Sequence, residues 1–392
     1  MTKESKFGRH CINIFFSAVL VSCNLNLLAY ALGESRTKQN NFDKLEWPSD
    51  SGKSGTFYSN IESYTFSEIS PIYQFFKDLE GPPISGGEKA FTINQAELGY
   101  KYSNFDIAFI SRYQNTLNFT NDTAYVFYAD KNKVDINNSK DYSIFMDANY
   151  IQTDGIRLGY SYGLLDTFKV SSYVSYLQAS KLTDGQLWGS LNATDQQEIT
   201  GDLYLNYTYT DDVFFERELS DIDGEGYSLD IGFTWTPFDR LQIKGDAKDF
   251  YNKITWNQQH YTTAEASTNR VQFDNNGFLD VQPALRWREH EVNHFQVLPR
   301  RLLGQIRYEY SDKIIPEIKF HRIDRYNTSL IGFNYLSGTN TALSFFYDII
   351  AESIFIGIKS RYVKFGISSE SLSYKRSENF YLNFSWIAPI DF

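Results

Sequence analysis

The sequence predicts an all-β protein: an antiparallel, up-and-down transmembrane β-barrel of roughly 14–16 strands. Three observations indicate this fold class. Apolar residues recur at every second position through most of the chain, aromatic residues are unusually frequent, and after the N-terminus no apolar run is long enough for a membrane-spanning helix. Strands that face lipid on one side and a lumen on the other account for all three observations.

The composition is that of a polar chain rich in aromatic residues. It has 392 residues, with 32 Phe and 29 Tyr, and a formal net charge of -11. Its mean hydropathy of -0.41 excludes a bundle of membrane helices, whereas a barrel needs polar residues on the inner half of each strand. The acidic balance gives no reason to expect nucleic acid as a partner, and no feature indicates the oligomeric state.

Residues 1–31 have the organisation of an export signal peptide. Basic residues precede an apolar run over 12–28, and Ala29-Tyr-Ala31 has the small residues of a cleavage site. Two alternatives stay open: lipid modification of Cys23, which follows Leu20-Val-Ser, and an uncleaved helical anchor. Cleavage after Ala31 removes both cysteines, which suits a chain exported to an oxidising compartment.

The next segment, 32–88, is predicted to be a flexible N-terminal arm or a plug. Its first half is polar and lacks periodicity, and its second half is mixed, with glycine and proline after Tyr73-Gln-Phe-Phe76. This second half is compatible with a short plug, a periplasmic arm or a first strand. The barrel is predicted to occupy 89–392.

Alternation from about residue 90 onward predicts a series of hairpins. In the clearest one, apolar positions from Tyr227 to Trp235 alternate with small polar residues, a turn follows at 237–240, and the chain returns from Leu241. Similar runs begin near Ala96, Ile156, Leu203, Ile306 and Ile354.

The last strand, 380–392, carries the strongest signal. Every second residue is apolar, including Phe384, Trp386 and the final Phe392. This ending resembles the closing strand of bacterial outer-membrane β-barrel proteins. The resemblance implies that Phe392, Trp386 and Phe384 form an assembly signal that the barrel-insertion machinery binds. It also implies a location among the lipids of a Gram-negative outer membrane.

The connections fall into two predicted sizes. Short turns are expected at Asn104, 165–166 and 237–240, and they are assigned to the periplasmic side. Long polar loops are expected on the outer side, at 179–197, 211–224, 252–278 and 289–299.

Metal and catalytic motifs are weak. His290-Glu-Val-Asn-His294 matches the H-E-x-x-H pattern of zinc enzymes, but its flanks are charged and the preceding segment alternates like a strand. A polar strand end or loop is the favoured interpretation. Acidic runs at 221–225 and 274–277 are interpreted as solvated turns rather than calcium loops. We therefore expect no catalytic residues, no bound metal and no cofactor.

Charged residues at alternating positions are predicted to line the lumen. These are Arg112, Arg157, Lys244, Arg286, Arg288, Arg307, Lys319, Asp106, Asp202, Asp230 and Asp246. Opposed charges across a pore would select solutes by charge and dipole. The alternative is that they form salt bridges in a filled barrel, and the sequence does not decide between the two.

The predicted function is a porin-like channel for small polar or charged solutes, because a barrel of this size is wide enough for water. Two alternatives remain. One is an outer-membrane barrel enzyme of the hydrolase type, and the other is a structural or export barrel with a filled lumen.

Overall fold

The computed structural model of the chain describes residues 41–45, 54–136, 140–193, 199–212, 223–268, 271–273, 279–281, 284–338, 340–373 and 375–391. Several expectations lie outside these ranges. They are the signal peptide over 1–31, the choice between Cys23 and Ala31, residues 221–222 of the acidic run at 221–225, the run at 274–277, and Phe392.

The described residues are mostly β-strands. In chain order these are β1 (Ser54–Ser67), β2 (Lys89–Tyr102), β3 (Phe105–Phe119), β4 (Asp141–Leu165), β5 (Phe168–Ala193), β6 (Ile199–Tyr209), β7 (Gly224–Phe238), β8 (Leu241–Ser267), β9 (Val271–Phe273), β10 (Leu279–Val281), β11 (Ala284–Gln296), β12 (Arg301–Tyr308), β13 (Ile314–Ile323), β14 (Tyr326–Ser337), β15 (Thr341–Asp348), β16 (Ser353–Lys359), β17 (Val363–Ser369) and β18 (Asn379–Asp391). A 3-10 helix spans Asn41–Lys44, and the α-helices α1 and α2 span Ile72–Phe75 and Asn121–Asn132.

Fourteen strands form a closed antiparallel barrel. The ring runs from β1 to β5, then through β7, β8 and β12, and on from β13 to β18. It closes because β18 pairs with β1, from Ser54 opposite Asp391 to Phe66 opposite Asn379. The predicted fold class, up-and-down topology and strand number are confirmed.

The barrel begins earlier than the predicted boundary at residue 89. β1 is hydrogen-bonded on one side to β18 and on the other to β2, so it belongs to the ring and not to an arm. Its outward row contains two serines beside Phe57 and Ile61, which weakens the apolar alternation. A segment with that pattern is hard to distinguish from a polar lead-in by sequence.

A sheet extends beyond the ring on one side of the barrel. β6 pairs with the outer ends of β5 and β8, and β11 pairs with the outer end of β8. We call β6, β11, residues 183–193 of β5 and residues 257–267 of β8 the extension. The small β9–β10 hairpin follows β8 in the chain.

The extension corrects the prediction of long loops at 179–197, 252–278 and 289–299. The described parts of these segments lie mainly in β5, β8 and β11, which are strands. Their exposed residues include polar side chains on both faces, because water contacts both faces beyond the bilayer. Apolar residues alternate along a strand when one of its faces contacts lipid or a core. The alternation is therefore weak in these strands.

The wall of the barrel is very uneven in height. β4, β5 and β8 have 25, 26 and 27 residues, whereas β15, β16 and β17 have 8, 7 and 7. Crossing a bilayer takes about 9–11 residues per strand. The long connections at the outer end of the barrel join the tall strands. At the same end, β13 and β14 are joined by only residues 324–325.

The outward face is an apolar belt. On β16, for example, Ile354, Ile356 and Ile358 are 60%, 52% and 46% exposed, while Ser353 and Lys359, which flank this run, are buried. On the last strand Phe384 and Trp386 face outward, with Ser385 and Ile387 buried. Apolar side chains exposed all round a closed ring of strands require a lipid environment.

Helices contribute little to this architecture. Among the residues that the structure describes, none of the helices has the length and apolar character to cross a membrane. α2 begins after Thr120, whose hydroxyl accepts a hydrogen bond from the Thr123 N–H, and it packs against the segment 68–88. The helices therefore cover the outer end of the barrel beside β2, β3 and β4.

Candidate functional site

Side chains from opposite sides of the ring meet inside the barrel. Lys248 of β8 contacts Glu62 of β1 at 3.2 Å, and Arg301 of β12 donates to the Gln95 side chain of β2 at 2.9 Å. These strands lie far apart around the ring. The barrel is therefore not an open cylinder, and we call the line of contacts between β1–β3 on one side and β7, β8, β12, β13 and β14 on the other the septum.

Asp249 is the charged centre of the septum. Its carboxylate accepts hydrogen bonds from Arg112 of β3 at 2.6 Å, from Arg301 at 3.1 Å and from the Ser228 hydroxyl at 2.7 Å. Its own N–H donates to Asp230 at 2.7 Å. Several partners compensate the loss of hydration of this buried carboxylate.

A β-bulge places Asp249 in this position. Between β7 and β8 the register shifts from Leu229 opposite Tyr251 to Ile231 opposite Ala247, so β8 carries extra residues there. Asp249 itself has a φ of 55°, in the left-handed region that aspartate tolerates better than most residues. The bulge turns a side chain that alternation would place outside toward the barrel interior.

The outer part of the septum is aromatic. Phe66 of β1 and Phe91 of β2 pack against Tyr326 of β14 with ring centroids 4.3 and 5.4 Å apart. Ile93 and Ile323 complete this buried cluster. The septum thus divides the interior into two lobes. Lobe A is enclosed by β2 to β8, and lobe B by β12 to β18 together with β1.

Lobe A contains an apolar cluster and a network of ion pairs. Trp256, Ile254 and Leu177 are fully buried in an apolar cluster that also includes Leu298. Toward the turns at 103–104 and 166–167, Arg157 contacts Glu97 at 2.7 Å and donates to the Tyr58 hydroxyl at 2.9 Å.

Lobe B contains a cavity of about 210 Å³. Its lining combines rings, cationic groups and small polar side chains. The lining residues are Tyr64, Leu303, Gln305, Lys319, His321, Thr328, Leu330, Asp348, Phe355, Lys364, Gly366, Ser368, Asn379, Tyr381 and Asn383.

An aromatic wall forms one side of this cavity. The Phe355 ring lies 5.7 Å from Phe346 and 6.2 Å from Tyr381. The Lys319 ammonium lies 3.8 Å from the Phe346 ring centroid and 5.1 Å from that of Phe355. A Cβ at Gly366 would lie 2.5 Å from the Phe355 ring, so the absence of a side chain there lets the ring lie against the strand.

The 3-10 helix closes the end of lobe B that lies near the N-terminus. Phe42 is 1% exposed and packs with Leu45 against the inward-facing Ile315, Leu336 and Ala342. The Asn41 side chain donates to Glu309 at 2.6 Å, and Lys359 donates to the Lys44 carbonyl. Residues 41–45 therefore lie inside the mouth of the barrel.

Eight of the eleven residues predicted to line the lumen belong to strands of the ring and lie inside it. Arg112 and Asp230 are in the septum, Arg157 and Asp106 are in lobe A, and Lys244, Asp246, Arg307 and Lys319 are on inward rows of β8, β12 and β13. Most of those with described partners form ion pairs, such as Arg307 with Glu317 at 3.2 Å.

The other three lie elsewhere. Arg286 and Arg288 are exposed on β11, and Asp202 is on β6, so all three belong to the extension and not to the interior of the ring. Arg286 and Arg288 were predicted to line the lumen from their alternating positions, whereas β11 pairs with the outer end of β8.

Sequence reasoning missed Asp249, Arg301, Gln95 and Glu97 as interior residues. The bulge gave no phase signal, because it inserts two residues into β8 and both Ala247 and Tyr251 stay in the outward row. Simple alternation therefore places Asp249 outside, although its side chain is buried.

The H-E-x-x-H segment lies on β11, not on a helix. A register shift between Val292 and His294 separates the two histidines further: His294 contacts Asp184 at 2.7 Å, whereas His290 packs against the Tyr261 ring. Within the described part of the chain, no group of three or more potential metal-ligating side chains was found.

A closed ring with an apolar belt defines this protein as a transmembrane β-barrel of the outer-membrane class. No protein-family model matches the sequence, and no curated protein matches it. The fold is similar to that of several solved barrels at low sequence identity.

A mutant of the TodX monoaromatic hydrocarbon channel has a TM-score of 0.45 at 11% identity, with 91% of this chain and 95% of that chain covered. The CymD monoaromatic hydrocarbon channel gives 0.43 at 10%, covering 93% and 97%. The Ralstonia pickettii toluene transporter TbuX gives 0.42 at 9%, covering 89% and 93%.

Proposed function

We propose that this protein is a substrate-selective outer-membrane channel and that solutes pass through lobe B. The observation that carries the proposal is the cavity of about 210 Å³ enclosed between the aromatic wall and the inward rows of β12 and β13. All the residues that line this cavity belong to strands that enclose lobe B, on one side of the septum.

The size and lining of the cavity favour a small solute with one aromatic ring or a similar flat apolar body. A cavity of about 150 Å³ is enough to bind benzene when its walls are apolar. Phe355, Tyr381 and Tyr64 offer ring faces and edges, and ring contacts of this kind favour another ring. Gln305 and Asn383 can bind a polar substituent.

This proposal replaces the expectation of an open porin for small polar or charged solutes. A fourteen-stranded barrel with a round cross-section would be wide enough for water. Here contacts such as Glu62–Lys248 and Gln95–Arg301 join opposite walls, and Phe42 fills the mouth of lobe B. Selection by fit inside lobe B is therefore better supported than passage through a wide aqueous pore.

The matched variants Gln305→Trp and Ile306→Trp test the proposal. Gln305 points into the cavity, while its neighbour Ile306 is in the outward row of β12. We expect toluene uptake by intact cells to fall severalfold in Gln305→Trp, because the indole fills the cavity, and to stay unchanged in Ile306→Trp. Saturation-transfer NMR on the purified protein should show toluene binding that only Gln305→Trp abolishes.

Two results would overturn the proposal. Sucrose influx into proteoliposomes comparable with that of a general porin would mean an open aqueous lumen. Toluene binding and uptake that are equal in both variants and in the parent would mean that lobe B is a filled structural interior.

A further inference from the structure

We propose that Arg300 and Arg322 form a phosphate-binding site at the outer-leaflet level of the barrel, where the ligand is the phosphorylated headgroup of an outer-leaflet glycolipid. This inference does not depend on the proposed channel function. It concerns the outward face of the β12–β13 hairpin at its extracellular end.

The two arginines are neighbours on one face of this hairpin. Leu302 and Arg322 are directly opposite in the register, and the Asp324 N–H donates to the Arg300 carbonyl at 3.0 Å, which places Arg300 one step further out. Arg300 and Arg322 are thus diagonal cross-strand neighbours, a spacing within reach of long side chains. Both are exposed.

Their position along the strands marks the edge of the bilayer. The outward row of β12 reads Tyr308, Ile306, Gly304 and Leu302 before it reaches Arg300. On β13 an apolar outward row likewise leads to Arg322. A cation at the end of each apolar row lies where lipid headgroups replace hydrocarbon, and phosphates are the anions of that layer.

Neither guanidinium forms an ion pair with a residue that the structure describes. Arg322 donates through Nε to the Asp324 carbonyl at 3.0 Å, and Arg300 lies 6.0 Å from the Phe250 ring centroid. The nearby carboxylates have other partners, because Asp324 contacts Lys89 at 3.2 Å and Asp147 accepts from Gln186 at 3.0 Å. Two guanidinium groups are therefore available to an external anion.

A polar cavity of about 570 Å³ adjoins the pair. It reaches from Arg300, Leu302 and Arg322 to Asn118 and Asn149 on the inward faces of β3 and β4. Here residues 297–300 connect β11 to β12, and both of these strands pair with β8. A guanidinium group can donate two parallel hydrogen bonds to two oxygens of one phosphate, and amide groups can donate to the remaining oxygens.

The test compares Arg300→Gln/Arg322→Gln with the control Arg240→Gln/Arg361→Gln. The control removes the same charge from exposed residues at the opposite end of the barrel. Binding of bisphosphorylated lipid A and of enzymatically dephosphorylated lipid A is measured by native mass spectrometry. Heat-modifiable electrophoretic mobility checks that all variants are folded.

We expect the parent and the control to bind phosphorylated lipid A, and the Arg300/Arg322 variant to bind it at least about tenfold more weakly, as the loss of charge-assisted hydrogen bonds implies. Competition with glucose 1-phosphate distinguishes the two sources of phosphate. Failure of the sugar phosphate to compete supports a lipid ligand, and equal competition supports the phosphate site but assigns it to soluble phosphates. Equal binding of dephosphorylated lipid, or equal loss in the control, would overturn the site.

Discussion

Arg112 of β3 donates a hydrogen bond at 2.6 Å to Asp249 of β8, inside the barrel and away from water. The same carboxylate accepts from Arg301 of β12, so one residue connects three strands through the interior. Breaking a buried charge cluster by removing one member leaves the other charges uncompensated, which costs more than the cluster contributes as a whole. The septum is therefore the most sensitive polar feature of this fold.

Asp249→Asn should destabilise the protein by about 3–5 kcal/mol, because two buried guanidinium groups lose their counter-ion. The measurement is the urea midpoint of tryptophan fluorescence in detergent. Asp154→Asn, an exposed change on the outward face of β4, should have little effect. The triple replacement Arg112→Met/Asp249→Asn/Arg301→Met should recover much of the loss, because asparagine tolerates the left-handed φ of 55° and no buried guanidinium group is left unpaired. Equal urea midpoints for Asp249→Asn and Asp154→Asn would show that the charged groups of the septum do not stabilise the fold.

Phe384→Lys and Asn383→Lys should differ sharply in their effect on folding, although the two positions are adjacent. Phe384 is outward and 38% exposed, so a charge there would enter lipid and cost about 2–4 kcal/mol near mid-bilayer. Asn383 lines the cavity of lobe B, where a lysine should be tolerated and should alter only solute binding and conductance. Folded yield in the outer membrane and single-channel current separate the effects. Equal damage from both would contradict the assigned facing of β18.

Phe42→Ser should loosen the closed mouth of lobe B. The phenyl group packs against Ile315, Leu336 and Ala342, and a hydroxymethyl group would lose these contacts. We expect severalfold higher single-channel conductance with unchanged thermal stability of the ring. Phe57→Ser, which alters an outward residue of β1, is the control and should leave conductance as it was. Unchanged conductance in both variants would mean that residues 41–45 do not limit passage.

Replacing His290 and His294 together by Ala should leave uptake and metal content unchanged. His294 contacts Asp184 at 2.7 Å and His290 contacts the Tyr261 ring, so the structural effect should be confined to the extension. A partly exposed pair of this kind contributes about 1 kcal/mol or less. Elemental analysis of purified parent and variant provides the check. One equivalent of zinc in the parent that disappears in the variant would revive the metal-site hypothesis.

The sequence alone determined the class of the protein and the facing of most ring strands. Rows such as Ile354, Ile356 and Ile358 alternate with residues that turn out to be buried, because side-chain direction in a strand has a period of two and the bilayer requires one apolar face. The same logic identified Arg157, Arg307 and Lys319 as inward residues. It was weaker for β1 and failed in the extension, where no single face meets lipid.

Only the tertiary structure decided the shape of the interior. Alternation indicates that Glu62 and Lys248 point inward, but it carries no information on the distance between strands from opposite sides of the ring, and these residues lie 186 positions apart in sequence. The septum depends on such long-range pairs and on the bulge that redirects Asp249. Whether a barrel of fourteen strands encloses an open pore or two lobes follows from those contacts, because packing across the lumen is a property of three-dimensional neighbours and not of local periodicity.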